Sequence, residues 1–110
     1  MRIIVEQGAN VSIDEVVDAA LSWLASKQRG AWTVQGACYG MNGKGFYPER
    51  GESVAEGKAV CARCPVRATC LAEALLKRER FGIWGGVSER GRQRMRAEFF
   101  KALAERSEAA

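Results

Sequence analysis

The chain has 110 residues, with 17 Lys and Arg against 13 Asp and Glu (formal charge +4), four cysteines and no histidine. That length supports one small domain with a limited core, and the lack of histidine removes the usual general base near neutral pH and the commonest nitrogen ligand for metals. No apolar run approaches the roughly 18–20 residues of a membrane span. The opening Met-Arg-Ile-Ile-Val-Glu-Gln is polar too early for a signal peptide. A cytoplasmic protein with no membrane partner is therefore expected. In such a setting four cysteines point to metal or redox chemistry rather than to a disulfide framework.

Residues 2–5 favour β structure, but with no evident partner they read as mostly irregular, with Gly8-Ala9-Asn10 as a turn. Ser12 and Glu15 form a capping box, flanked by Val11 and Val16 as a hydrophobic staple. Ile13, Val16, Val17, Ala20, Leu21 and Leu24 then share one helical face, which predicts a helix over 13–28 ended by Gly30. That face serves packing or a partner. Residues 31–51 are glycine-rich and read as an irregular loop after a short helix near 32–37. Trp32, Tyr39, Phe46 and Tyr47 within it either fill a small core or anchor an interface.

Ser53 and Glu56 give a second capping box and a helix over 54–63. Pro65 biases Cys64 out of the helical region, so a new helix is predicted from Pro65 to Arg80, ended at Phe81-Gly82. Gly82-Ile83-Trp84-Gly85-Gly86 calls for backbone at positive φ or closely approached by another group. Trp84 is then core material in a tight turn or a recognition tip. Ser88 is the expected N-cap of a last helix over 89–106. The arginines at 90, 92, 94 and 96 alternate around it and leave little room for a buried face, with Met95, Phe99 and Phe100 as its large apolar residues. Such a helix is either solvated or contacts phosphate. Arg90-Gly91-Arg92 has the core of a minor-groove hook, with Gln93 where such hooks carry proline.

Cys61 and Cys64 are three apart, and Cys70 lies about a turn and a half into the following helix. Three thiols therefore face one helix–helix corner, and Cys38 closes the site from a loop. Structural zinc prefers two tight Cys-x₂-Cys pairs, of which this chain has one. Iron–sulfur clusters also take four thiolates and tolerate irregular spacing, so the spacing leaves both open. A thioredoxin-like pair at Cys61 and Cys64 would need a βαβ context that the sequence lacks. No nucleophile–base set, paired carboxylates or phosphate-binding loop is evident, so no enzymatic activity is expected.

Cys38, Cys61-Ala-Arg-Cys64-Pro-Val-Arg-Ala-Thr-Cys70, Phe46-Tyr47-Pro48, Phe81-Gly-Ile-Trp-Gly-Gly86 and the basic segment after it closely resemble the WhiB-like family of actinobacteria and their phages. The resemblance runs from about Trp32 to Arg96. It implies an all-α fold: four to five helices wrapped around a four-cysteine cluster, with an extra N-terminal helix and a basic C-terminal helix. The corresponding division is an extension over 1–30, a cluster-binding domain over 31–87 and a basic helix and tail over 88–110. It further implies a transcriptional regulator with a [4Fe–4S] cluster on Cys38, Cys61, Cys64 and Cys70. Region 4 of the primary sigma factor would contact Trp32, Phe46, Tyr47, Pro48 and Trp84. Promoter DNA would contact Arg90, Arg92, Arg94 and Arg96. Oxygen or nitric oxide would attack the cluster, after which Cys61 and Cys64 pair as a disulfide. The rival expectation is a zinc-stapled protein–protein adaptor that never meets DNA.

Overall fold

The computed structural model describes residues 3–6, 9–41, 46–47, 53 and 55–109. Four helices dominate: α1 (Ile13–Ala25), α2 (Ala55–Ala62), α3 (Arg67–Leu76) and α4 (Glu89–Ala109), with a short 3₁₀ helix at Ala31–Gln35. The helical class expected from sequence is the one observed. It carries one addition, an antiparallel hairpin of β1 (Ile3–Glu6) and β2 (Ala9–Ser12), with Ile3 opposite Ser12 and Glu6 opposite Ala9. Ala9 and Asn10, expected in a turn, belong instead to the strand that pairs with β1. That strand starts three residues after β1 ends, the closest return a hairpin allows.

The first capping box forms as expected. Glu15 N–H donates to Ser12 Oγ at 3.1 Å, and the Glu15 carboxylate accepts from Ser12 N–H at 3.4 Å. Helix α1 stops at Ala25, earlier than Gly30, because Ser26 is extended and its N–H turns back to Trp23 O. Helix α2 lacks a second complete box among the described residues, although Ala55 N–H donates to Ser53 Oγ at 3.2 Å. Helix α3 is shorter than predicted at both ends. It opens at Arg67 and closes at Leu76 in a Schellman motif: Glu79 N–H donates to Ala74 O at 2.9 Å and Arg78 N–H to Leu75 O at 3.2 Å. The left-handed residue that this motif requires is Arg78, at φ 55°. Glycine is the usual occupant of that position, and the first glycine after α3 is Gly82, which is why the expected end falls too far along the chain.

Val11 and the Ile13, Val16, Val17 and Ala20 face of α1 pack on Leu71, Ala72 and Leu75 of α3 and on Met95, Phe99, Ala102 and Leu103 of α4. The α1 face thus serves packing within the chain. Helix α4 does have a buried face, contrary to the sequence expectation: residues 92, 95, 99, 102 and 103 follow helical spacing and all are buried. Two of these give little apolar signal in sequence, because Ala102 is small and Arg92 is charged. An Arg106–Asp18 ion pair links the last turn of α4 to the middle of α1.

Arg92 is 1% exposed and its side chain is surrounded by carbonyls. Its Nη1 donates to Gly82 O and Val87 O, each at 2.8 Å, and its Nη2 to Glu79 O at 3.2 Å and Phe81 O at 3.4 Å. Burial lowers its pKa from the ordinary guanidinium value, while Glu89, Cys70 and Glu79 act in the opposite direction. One buried cation thus gathers the whole loop between α3 and α4. Replacing it with Met would strip the charged donor from four carbonyls, so Arg92→Met should cost at least about 3 kcal/mol in denaturant unfolding. Arg92→Lys should restore only part of this, since a single ammonium cannot span two pairs of acceptors.

Candidate metal centre

The loop that Arg92 gathers ends in a tight turn. Trp84 and Val87 exchange both backbone hydrogen bonds, at 3.2 and 3.0 Å, across Gly85 and Gly86. Both central residues have positive φ, 59° and 81°, which is the hairpin turn that glycine favours. Gly85 has a second reason to be glycine. A Cβ there would lie 2.6 Å from Arg67 O and 2.8 Å from Leu71 Cβ, so the turn is pressed against the start of α3.

This close approach aims backbone N–H groups at sulfur. Gly85 N–H bonds to Cys70 and Gly86 N–H to Cys61. On the far side, Ala37 N–H donates to Cys64 Sγ at 3.4 Å. Cys61 lies near the end of α2, Cys64 in the bend before α3, Cys70 on α3, and Cys38 in the loop after the 3₁₀ helix. All four thiols line one cavity, walled also by Trp32, Phe46 and Ile83. Pro65 contributes as expected by breaking the chain at Cys64, although α3 itself begins two residues later. Cys38, Cys61, Cys64 and Cys70 are thus brought together.

Burial pushes the Cys70 thiol up to about 12, the Gly85 N–H partly opposing it, with Cys61, Cys38 and Cys64 raising it further. Burial also raises Cys61, the Gly86 N–H opposing, with Cys38 and Cys64 adding to the rise. Burial thus disfavours the thiolates of Cys61 and Cys70, and a bound cation would stabilise them. The donor set is entirely sulfur, which suits zinc or an iron–sulfur cluster. Among the described residues, however, no three His, Cys, Asp or Glu side chains are grouped to hold a metal ion. The thiols share a cavity without closing to single-ion distance.

The aromatic residues surround this cavity unequally. Phe46 is buried, and its carbonyl accepts Ile83 N–H at 2.7 Å. Trp32 and Trp84 are half-buried, and Trp84 Nε1 donates to Phe81 O at 3.0 Å. Tyr47 is 56% exposed and its ring lies against Gly82. Pro48 lies outside the described residues. Trp32, Tyr47 and Trp84 line a surface groove with Cys38 and Cys70, and Tyr39 and Met41 join them there. Val34 and Phe81 are further exposed apolar residues, at 59% and 70%. Sequence names Phe81 only as part of a helix end and of the Phe81–Gly86 motif and does not single out Val34, because isolated apolar residues carry no periodic signal of exposure. Tyr39, 64% exposed, is not core.

The arginines of α4 divide. Arg90 and Arg94 are exposed and Arg96 is half-buried, whereas Arg92 points inward. Arg92, expected among the DNA contacts, is instead 1% exposed, and its Nη1 and Nη2 donate to four carbonyls beneath the surface.

These features coincide with one class of protein. The family model for the transcription factor WhiB matches residues 32–95, which contain all four cysteines and the Gly-Ile-Trp-Gly-Gly turn, and the chain belongs to that family. Among its relatives, the transcriptional regulator WhiB of Streptomyces coelicolor is 48% identical over 65 residues, covering 59% of this chain and 75% of that protein. WhiB2 of Mycobacterium tuberculosis is 46% identical over 65 residues, covering 59% and 73%. A second M. tuberculosis relative, named as the redox- and pH-responsive transcriptional regulator WhiB3, is 40% identical over 65 residues, covering 53% and 64%. The hairpin and α1 precede the matched region. No helix among the described residues is long and apolar enough to cross a membrane.

Two glycines with positive φ separate conformational strain from crowding. Gly40, at φ 83°, faces open space, whereas Gly85 is crowded. Gly40→Ala should cost about 1–2 kcal/mol through backbone strain alone. Gly85→Ala should cost about 1–3 kcal/mol more through overpacking and should displace the N–H groups from Cys61 and Cys70. Thermal unfolding of both variants, with metal content per chain, checks the difference.

Proposed function

We propose that this chain is a transcriptional regulator that holds a [4Fe–4S] cluster on Cys38, Cys61, Cys64 and Cys70. The observation that carries the proposal is the shared cavity: four thiols from four separate segments, three of them receiving a backbone N–H. Tetrahedral zinc–thiolate bonds of about 2.3 Å would draw the sulfurs within roughly 4 Å of one another. Iron–sulfur clusters also take four thiolates and accept irregular spacing such as that of Cys38, Cys61, Cys64 and Cys70. When bound, the cluster supplies redox-active iron open to oxidants through the cavity mouth at the exposed Cys38. The chain's own part is to set its environment, since N–H groups directed at the sulfurs favour the thiolate form and raise the reduction potential.

The groove bounded by Trp32, Tyr47 and Trp84 is the proposed docking surface for region 4 of the primary sigma factor. Its support is an exposed apolar surface built directly over the cysteines, so that loss of the cluster would loosen the surface as well. Phe46 acts from beneath, as packing. Arg90, Arg94 and Arg96 are the proposed promoter contacts, brought alongside DNA by docking on sigma. Transcriptional control at the polymerase goes with a cytoplasmic site of action and with no catalytic activity. The name of the WhiB3 relative supports a redox-responsive reading of the cavity.

Anaerobically purified protein should be brown, absorb broadly near 400 nm and contain about four iron and four sulfide per chain. Colourless protein with one zinc per chain would replace this reading with the zinc-stapled adaptor. In a second measurement, charge-removing changes at Arg90, Arg94 and Arg96 together should weaken promoter binding. They should also lower the slope of log affinity against log salt by about 0.9 for each phosphate that is no longer neutralised. An unaltered slope would remove α4 from the DNA.

A further inference from the structure

Helix α3 carries a buried acid to which the site described above assigns no role. Glu73 lies one turn beyond Cys70, on the same side of the helix, and is 8% exposed. A carboxylate so placed needs partners. Its Oε1 accepts from Trp23 Nε1 at 3.1 Å and Trp32 Nε1 at 3.4 Å, and Lys77 Nζ stands 3.8 Å away. Trp32 is a wall of the cysteine cavity. Trp23 belongs to α1, before the region the family model matches, and its ring is flanked by the Arg29 guanidinium at 4.9 Å and the Lys77 ammonium at 5.9 Å. Its Nε1 also reaches Arg29 O at 3.0 Å, tying the segment after α1 into the same cluster. A single carboxylate oxygen therefore joins the wall of the cavity to the N-terminal extension.

We propose that Glu73 is a positioning residue: it fixes Trp32 as the lid of the cysteine cavity and, through Trp23, makes the N-terminal extension part of that lid. The effect on the bound group rests on the cluster reading above; the hydrogen-bonded link itself does not. Trp32 is held at the indole nitrogen, so its ring cannot swing away from the cavity while it is hydrogen-bonded to Glu73. Released, Trp32 would widen the path for oxidants from the exposed Cys38 toward Cys70. The extension thereby protects the centre without supplying a ligand.

The test uses the full chain, purified without air. Its three tryptophans, Trp23, Trp32 and Trp84, give three indole N–H signals in nitrogen-15 spectra. Glu73→Gln, which keeps one acceptor on the same stem, should shift the Trp23 and Trp32 signals and leave Trp84, bonded to Phe81 O, unmoved. Glu73→Ala should shift them further and speed solvent exchange at Trp32. A Trp32 signal indifferent to both changes overturns the proposal, whatever metal the protein holds. In air, Glu73→Ala should lose iron about 10-fold faster than the parent, the usual scale for outer-shell partners of a metal site. Glu73→Gln should recover most of that loss. In a Trp32→Phe background, which lacks the indole donor, Glu73→Ala should add no further acceleration. Equal acceleration in both backgrounds would mean that Glu73 acts through general stability, and would overturn the assignment. Protein without iron would refute the cluster reading alone, since the indole signals report the link without it.

Discussion

A guanidinium removed from water must be matched by acceptors, and in this protein the acceptors are four carbonyls of a single loop. Arg92 reaches back from the first turns of α4 to Glu79, Phe81, Gly82 and Val87, and so fixes the path of the chain between α3 and α4. The Trp84–Val87 turn sits at the end of that path, pressed against α3 at Gly85. From there its N–H groups meet two cysteine sulfurs. The geometry of the cavity thus depends on a residue that does not line it. Carbonyls are neutral partners, so they do not cancel the charge of Arg92. The attraction of Cys70 for Arg92 is one of the influences on its ionisation.

The second constraint is size. A chain of 110 residues buries a limited share of its surface and gains from any added brace. Two braces are present. One is the α1 face, which packs on α3 and α4 and supplies much of the main core. The other is the convergence of four cysteines on a smaller cluster around Phe46, Val60, Cys61 and Ile83. Helix α3 belongs to both, with Leu71 and Leu75 in the main core and Cys70 at the cavity. Glu73, one turn beyond Cys70 on the same helix, accepts from Trp32 of the cavity wall and from Trp23 of α1.

The charge of α4 is similarly divided. Its inward face holds Arg92 with Met95, Phe99, Ala102 and Leu103, and its outward face displays Arg90 and Arg94. The helix is held at its far end by Arg106 and Asp18. The basic segment is consequently a rigid element rather than a solvated tail, fixed in direction relative to the aromatic groove. A surface of that kind presents its cations in one arrangement, which costs less ordering on contact with a partner than a flexible tail would.

The sequence alone determined what depends on neighbours along the chain. The capping box at Ser12 and Glu15, the apolar face of α1, the break at Cys64-Pro65 and the glycine turn at Gly85-Gly86 all follow from local backbone chemistry, and the structure contains each of them. The family, too, was legible, because its signature lies in cysteine spacing and a short glycine–tryptophan motif. What only the tertiary structure decided is where side chains of ambiguous character end up. Arg92 and Arg94 look alike in sequence, yet one is buried and the other exposed, because only the first meets the loop from α3. Arg78 takes the left-handed position that composition assigned to a glycine, and β1 has a partner that a turn-forming Ala9-Asn10 concealed. Glu73 was silent for the same reason: its two indole partners lie 50 and 41 residues away, and no local pattern encodes a contact made across such a distance.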